Sequence, residues 1–286
     1  MIKFGPSGNS QSFYDDGRKA TADMPEWLSA RGLDAFEYSF GRGVAIGEAT
    51  ANLIRDKAVE YGIEISVHAP YYINFANPDA QKAANSDKYL LDSLQALKWL
   101  GGKRCVFHSG TEGGAPRKEA FGRIYERLSA FALKKKEEGY SDLIVCPETM
   151  GKYSQIGDVA EICELVKLDE TYYPCIDFGH LNCIMQGALR TADDFEAVIR
   201  YMINEIGFEK TSGMHVHFSK IMYTVKGEVK HLTFADDLYG PEFLPLAQTI
   251  EKYKLQPYVI CESAGTQAED AKTMRDIYQS VAGKGV

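Results

Sequence analysis

Several familiar signatures are missing from this chain. No two of its six cysteines (Cys105, Cys146, Cys163, Cys175, Cys183 and Cys261) stand at CxxC spacing. Several lie in apolar runs that read as strands. They are expected to be small buried thiols, not a secreted disulfide framework. An excess of basic charge is also missing: 32 Lys and Arg against 40 Asp and Glu give a net charge of −8. The bulk electrostatic footprint of a nucleic-acid binder is therefore absent. A local basic patch, or phosphate binding through bound cations, is still compatible with that total. The first residues, MIKFGPSGNS, hold no apolar stretch of signal-peptide length. The apolar runs fall far short of the roughly 20 residues that span a bilayer. These absences predict a reduced, cytoplasmic protein with no membrane partner. No linker, charge block or low-complexity tract divides the sequence, so residues 1–286 are expected to form a single domain. Neither GxGxxG nor GxxxxGK[ST] follows the first apolar run, which removes the main support for a dinucleotide or P-loop fold.

What the chain does have is alternation. Short β-branched or aromatic runs occur at 2–5, 35–40, 63–70, 104–110, 143–149, 173–180, 213–220 and 257–263. Segments of helical pattern follow them at 25–32, 48–62, 87–101, 119–139, 155–166, 192–207, 242–254 and 268–283. Apolar residues there recur at three- and four-residue steps, as in Leu91, Leu94, Leu97 and Leu100, and Gly62, Gly101 and Gly139 supply stop signals. Strand–helix alternation predicts parallel strands with crossover helices. Eight such units in a chain of this size predict an α/β fold, a single (β/α)8 TIM barrel. Lys134-Lys135-Lys136 falls late in a helix and reads as a solvated face near the helix's negative end.

The six histidines fall almost entirely at strand ends. His68 ends the third run, His108 the fourth, and His180 closely follows the sixth. His215 and His217 lie in the seventh, and His231 in the loop beyond it. Carboxylates take the matching places elsewhere: Glu148 in the fifth run, Asp177 in the sixth and Glu262 in the eighth. A barrel brings the carboxyl ends of all its strands to one rim, so these residues are expected to meet in one pocket. Imidazole and carboxylate without thiolate suit Zn²⁺, Mn²⁺ or Fe²⁺. One carboxylate can bridge two ions about 3.5–4 Å apart. An apolar-flanked acid such as Glu148 points the same way, because an unpaired buried carboxylate is costly. His217, two residues from His215, reads as a neighbour of the ligands as readily as a ligand. Tyr71 and Tyr72 follow His68 directly onto the rim.

On these residues the sequence resembles the endonuclease IV family, metal-dependent abasic-site endonucleases of the xylose-isomerase-like barrel superfamily. The resemblance is carried by His68 in HAPYYIN, His108 in FHSG, Glu148 in PETMG, Asp177 and His180 in DFGH, His215 in HVHFSK and Glu262 in ICES. It implies two or three metal ions, usually zinc, with Mn²⁺ or Fe²⁺ at some sites. His68, His108 and Glu148 would hold one ion. Glu148 would bridge to a second, held also by Asp177, His215 and Glu262. His180 and His231 would hold a third. The implied activity is hydrolysis of the phosphodiester 5′ to an abasic site in double-stranded DNA by metal-activated hydroxide. Glu148 and Glu262 would be catalytic, and Arg42 and Tyr71 would probe the DNA. No protein partner is implied.

One position departs from that pattern. The third ion's family motif is Asp-x-His, and here Val229 stands in the aspartate place in Glu228-Val229-Lys230-His231. Val229 has no donor atom, so the third ion is expected to be held more loosely unless Glu228 turns inward. A different activity uses part of the same set. Glu148, Asp177, His215 and Glu262 alone resemble the single-metal site of ketose 3-epimerases, where two glutamates move a proton beside a bound enediolate. His68 and His108 discriminate between the two readings, because a sugar isomerase or epimerase does not need the ion they would hold.

Overall fold

A computed structural model describes residues 2–283. Eight parallel strands occupy the places that the alternation predicts: β1 (Lys3–Pro6), β2 (Ala35–Ser39), β3 (Glu64–His68), β4 (Arg104–Phe107), β5 (Ile144–Pro147), β6 (Cys175–Asp177), β7 (His215–Phe218) and β8 (Tyr258–Cys261). They form two parallel four-stranded runs, β2-β3-β4-β5 and β6-β7-β8-β1. Isolated bridges close the runs into a ring: Ser7 to Glu37 at the β1/β2 seam, and Val145 to Tyr172 and Glu148 to Cys175 at the β5/β6 seam. The β1/β2 seam depends on Gly5, where a Cβ would stand 1.8 Å from the Ala35 carbonyl oxygen. Any side chain there would force the two strands apart.

Three of the crossover helices start where short polar side chains hold free backbone N–H groups. Asp79 accepts from the backbone N–H of Gln81 and Lys82 ahead of helix Ala80–Trp99. Asp158 with Glu161, and Thr191 with Asp194, form capping boxes for Val159–Val166 and Ala192–Ser212. The predicted leucine stripe faces the barrel, with Leu94, Leu97 and Leu100 buried and Leu91 half-buried. All six cysteines are buried free thiols. No helix among the described residues is long and apolar enough to cross a membrane.

The structure corrects two expectations about local structure. Lys135 is not solvated but fully buried, and it donates to the carbonyls of Tyr140 (2.9 Å) and Leu143 (2.6 Å). The late-helix position is favourable for a cation, but here the charge folds inward to hold the turn that leads into β5. Secondly, the segment after β7 is not a loop. It is an antiparallel hairpin, Ile221–Thr224 with Gly227–His231, standing on the carboxyl rim beside helix Phe178–Ile184.

Candidate metal centre

Glu148, just beyond β5, is the hub. It is 1% exposed, and its two oxygens face two different groups of donors. Oε2 lies 3.1 Å from His68 Nε2 and 3.2 Å from His108 Nε2. Oε1 lies 3.0 Å from His217 Nδ1. Glu148, Asp177, His217 and Glu262 each present a ligand atom within 4.8 Å of the others, and so do His68, Glu148 and His217. Two ligands roughly 2.1 Å from one tetrahedral ion stand about 3.4 Å apart, so these separations suit shared ions. Burial pushes the Glu148 carboxyl up, but His217, His108 and His68 outweigh it and hold it well below the usual carboxylate range.

His215 does not take the place the sequence suggests. Both histidines of β7 point inward, because residues two apart share a face. The parallel register puts His217 beside Asp177 and His215 a step lower, beside Cys175. His217 therefore reaches the rim carboxylates, while the fully buried His215 ring faces Glu37, with Nε2 3.1 Å from Glu37 Oε2, and stacks obliquely on Tyr258. Burial depresses the His215 pKa to about 4, so the ring is neutral. In an H-x-H pair ending a strand, the second histidine is the one nearer the rim.

A third set comprises His180, Glu228 and His231. Glu228 Oε2 is 3.6 Å from His180 Nε2, and Oε1 is 4.0 Å from His231 Nε2. Residues three apart in a regular strand point to opposite faces, so 228 and 231 should not share a ligand. A β-bulge reconciles them. Met222 pairs with Lys230 and Tyr223 with Glu228, which leaves Val229 unpaired. The extra residue turns Glu228 onto the face of His231 and sends Val229 outward, 50% exposed. Gly151 makes the approach possible, since a Cβ there would stand 2.7 Å from His180 Cδ2 and 2.9 Å from Glu228 Cβ. The carboxylate missing at position 229 is thus supplied one residue earlier.

The histidines are oriented from behind. His68 Nδ1 is 2.8 Å from the Ala69 carbonyl, His180 Nδ1 is 3.0 Å from the Thr149 carbonyl, and His231 Nδ1 is 2.8 Å from Ser219 Oγ. Each pairing leaves Nε2 facing the pocket, the pattern that fixes an imidazole for ligation. Asp177 is divided similarly: Oδ1 caps the following helix by accepting from His180 N–H, while Oδ2 is buried without a hydrogen-bond partner. Glu37, Glu148, Asp177, Glu228 and Glu262 converge here, and among the described residues only histidines pair with them. That much buried negative charge calls for cations. Without metal the demand falls on protons. Against the opposing effect of burial, Glu148 helps raise His68 to about 9, and Asp177 and Glu148 help raise His180 to about 9. The donor set fits divalent ions.

These groups open into a pocket of about 450 Å³ that also takes in Ser39, Tyr71, Met150, Lys152 and Gln155. Tyr71 is half-exposed on its lip and accepts a hydrogen bond from Arg42 Nε at 3.2 Å. Arg42 lines an adjoining groove of about 610 Å³ with Tyr38, Phe40, Lys88 and Tyr89. Sequence reasoning missed Glu37. Its signal was the one that singled out Glu148, an acid within an apolar strand.

A ring of parallel strands with imidazole and carboxylate donors on its carboxyl rim defines a TIM barrel with a candidate metal centre. Residues 25–279 match the xylose isomerase-like TIM barrel family, and the chain belongs to that family. It is 29% identical to an uncharacterized protein of Methanocaldococcus jannaschii over 92% of each chain. It is 30% identical to the Probable endonuclease 4 of Staphylococcus carnosus over 56% of this chain and 54% of that one, so the match spans about half of that relative. Among solved structures, a D-tagatose 3-epimerase-like protein superposes with a TM-score of 0.74 at 18% identity over 99% of both chains. Endonuclease IV from Thermus thermophilus superposes with a TM-score of 0.64 at 19% identity, over 92% of this chain and 94% of that one. At those identities the structural matches speak for the fold.

Proposed function

We propose that this chain is a metal-dependent phosphodiesterase that cleaves DNA 5′ to abasic sites. The observation that carries the reading is the division of Glu148. One oxygen serves His68 and His108, and the other serves the group of Asp177, His217 and Glu262. That is the arrangement of a bridging carboxylate, and a paired site suits phosphoryl displacement. The set of His180, Glu228 and His231 adds room for a third ion. The partial likeness to an endonuclease 4 sequence supports the same reading.

Bound zinc or a similar divalent ion supplies Lewis acidity and an activated water at such a site. The chain's own residues do the rest. Glu148 holds the two donor groups in register. Glu262, 3.6 Å from His217 Nδ1 and partly open to the pocket, is placed to take a proton at its carboxylate. Tyr71 and Arg42 form a hydrogen-bonded pair on the lip, offering a stacking ring and a cation to the nucleic acid. The groove beyond them gives an extended strand somewhere to lie.

A second reading is favoured by one observation. Glu148, Asp177, His217 and Glu262 by themselves form a complete single-ion set, as a sugar epimerase needs, and the superposition on a D-tagatose 3-epimerase-like protein is close. Two measurements on the same metallated protein separate the readings: nicking of a duplex with one abasic site, and epimerisation of ketohexoses. Nicking with two or more ions bound is the expected result. Epimerisation without nicking, on one ion per chain, refutes the proposal.

A further inference from the structure

We propose that Glu37 is a positioning residue: sunk beneath the pocket between His215 and His217, it sets the orientation in which His217 presents Nδ1 to the rim carboxylates. The inference rests on the metal reading of the site and is independent of the substrate. Glu37 lies in the middle of β2 and is fully buried. Its Oε1 is 3.0 Å from His217 Nε2 and its Oε2 is 3.1 Å from His215 Nε2. Ser66 Oγ donates to Oε2 at 3.0 Å and Ser7 Oγ to Oε1 at 3.3 Å. The carboxylate is thus gripped from β3 and from the end of β1, across the seam that Gly5 holds tight.

A buried carboxylate is costly unless paired. Among the described residues no Lys or Arg pairs with Glu37, so the two imidazoles are its only charge partners. An imidazole has two nitrogens, and whatever holds one decides what the other can do. His68 and His231 are anchored on neutral oxygens, and His180 Nδ1 meets the Thr149 carbonyl at 3.0 Å with Asp177 Oδ2 3.3 Å away. His217 has Glu37, a full carboxylate, behind the ring nitrogen opposite its rim contacts. The contact is a charge contact, not an aligned hydrogen bond, and Nε2 is otherwise unpartnered. An ion on Nδ1 leaves the ring proton on Nε2, facing Glu37. A carboxylate behind a ligating histidine raises its basicity, so Glu37 tightens the hold on an ion at His217.

The test uses Glu37→Ala and Glu37→Gln in the full chain. Zn²⁺ affinity is read by chelator competition, coordination by the absorption of Co²⁺-substituted protein, and folding by circular dichroism of the metal-free form. Glu37→Ala is expected to weaken the ion on His217 about 10–100-fold and to shift the Co²⁺ band, while the ion on His180, Glu228 and His231 is retained as in the parent. Glu37→Gln, which keeps an oxygen facing Nε2, recovers part of the affinity and the parent spectrum. Should both variants fail to fold, Ser66→Ala removes one grip on the carboxylate and is expected to weaken the same ion by a smaller factor. A folded variant with parental affinity and spectrum overturns the role of Glu37, as does equal weakening of every ion. A parent that takes up no ion overturns the metal reading itself.

Discussion

The bulge at Val229 makes a prediction that runs against the plain sequence comparison. Placing an aspartate at 229 restores the family motif on paper. In the folded chain that side chain points to solvent on the outer face of the hairpin, 50% exposed, while Glu228 already occupies the inner face. Val229→Asp is therefore an ordinary surface substitution, worth about 0.5 kcal/mol or less, and should change retention of the third ion by no more than about twofold. Glu228→Ala removes the only charged donor of a three-residue set. Losing even a partner that merely orients a ligand costs about 10–100-fold in affinity, so losing the ligand should cost at least about 100-fold, or roughly 2.7 kcal/mol. Deletion of Val229 should spare the ion, because it removes only the unpaired residue and leaves Glu228 two positions from His231, on the same face of a regular hairpin. Staged removal of metal by a chelator, followed by elemental analysis, measures all three. Tighter retention in Val229→Asp, rescue of Glu228→Ala by Val229→Asp, or loss of the ion in the deletion would each refute this account.

Four further outcomes are expected. Glu148→Gln should lower turnover about 10²–10⁴-fold or more with the barrel intact, as judged by circular dichroism; near-parental turnover would remove Glu148 from the chemistry. His217→Ala should lose an ion from the carboxylate set, whereas His215→Ala should keep the parental metal count and lose about 1–3 kcal/mol of stability; the reverse pattern would restore His215 as the ligand. Metal-free protein should be steadied by the His68–Glu148 pair below pH 6.5, and that contribution, at most about 3 kcal/mol, should vanish as pH rises through about 9; thermal melts against His68→Gln measure it, and a gap that widens with pH would show the sign to be wrong. Tyr71→Ala should weaken binding to abasic duplex by about 1–3 kcal/mol, read by titration with labelled DNA, and unchanged affinity would take the tyrosine off the binding surface.

The barrel was readable because its signals are periodic. Eight apolar runs and eight amphipathic segments repeat in order, and the strands fell where those runs stood. The site was readable at positions where a strand simply ends, as at His68, His108 and Glu148. It was misread where geometry is set by register. His215 and His217 are indistinguishable to a rule about strand ends, and only their pairing with Cys175 and Asp177 separates them by height. Glu228 was recoverable only through a bulge, a feature of the hairpin's pairing. Glu37 carries a readable signal, an acid within an apolar strand, but it sits in mid-strand, below the rim that strand ends mark. Lys135 shows the converse, a residue in a basic run whose neighbours pair at the surface with Asp87 and Asp169 while it alone turns inward.

The two seams of the barrel have a mechanical consequence. The β2–β5 half supplies Glu37, His68, His108 and Glu148, and the half containing β6, β7, β8 and β1 supplies Asp177, His217 and Glu262. Backbone hydrogen bonds join the halves from Asp34 to Phe4 and Gly8 to Glu37 at one seam, and from Val145 to Thr171, Tyr173 to Val145 and Thr149 to Cys175 at the other. An ion shared by Glu148, Asp177, His217 and Glu262 would add a rivet across the β5/β6 seam, tying the two halves together through side chains as well as backbone. Saturation at a hundred times the dissociation constant would add about 2.7 kcal/mol to the folded state, delivered across that seam. Amide exchange should follow that geometry. On chelation, protection should fall first along Ser7–Gly8 and Glu148–Thr149 at the seams, while the middles of β3 and β7 keep theirs.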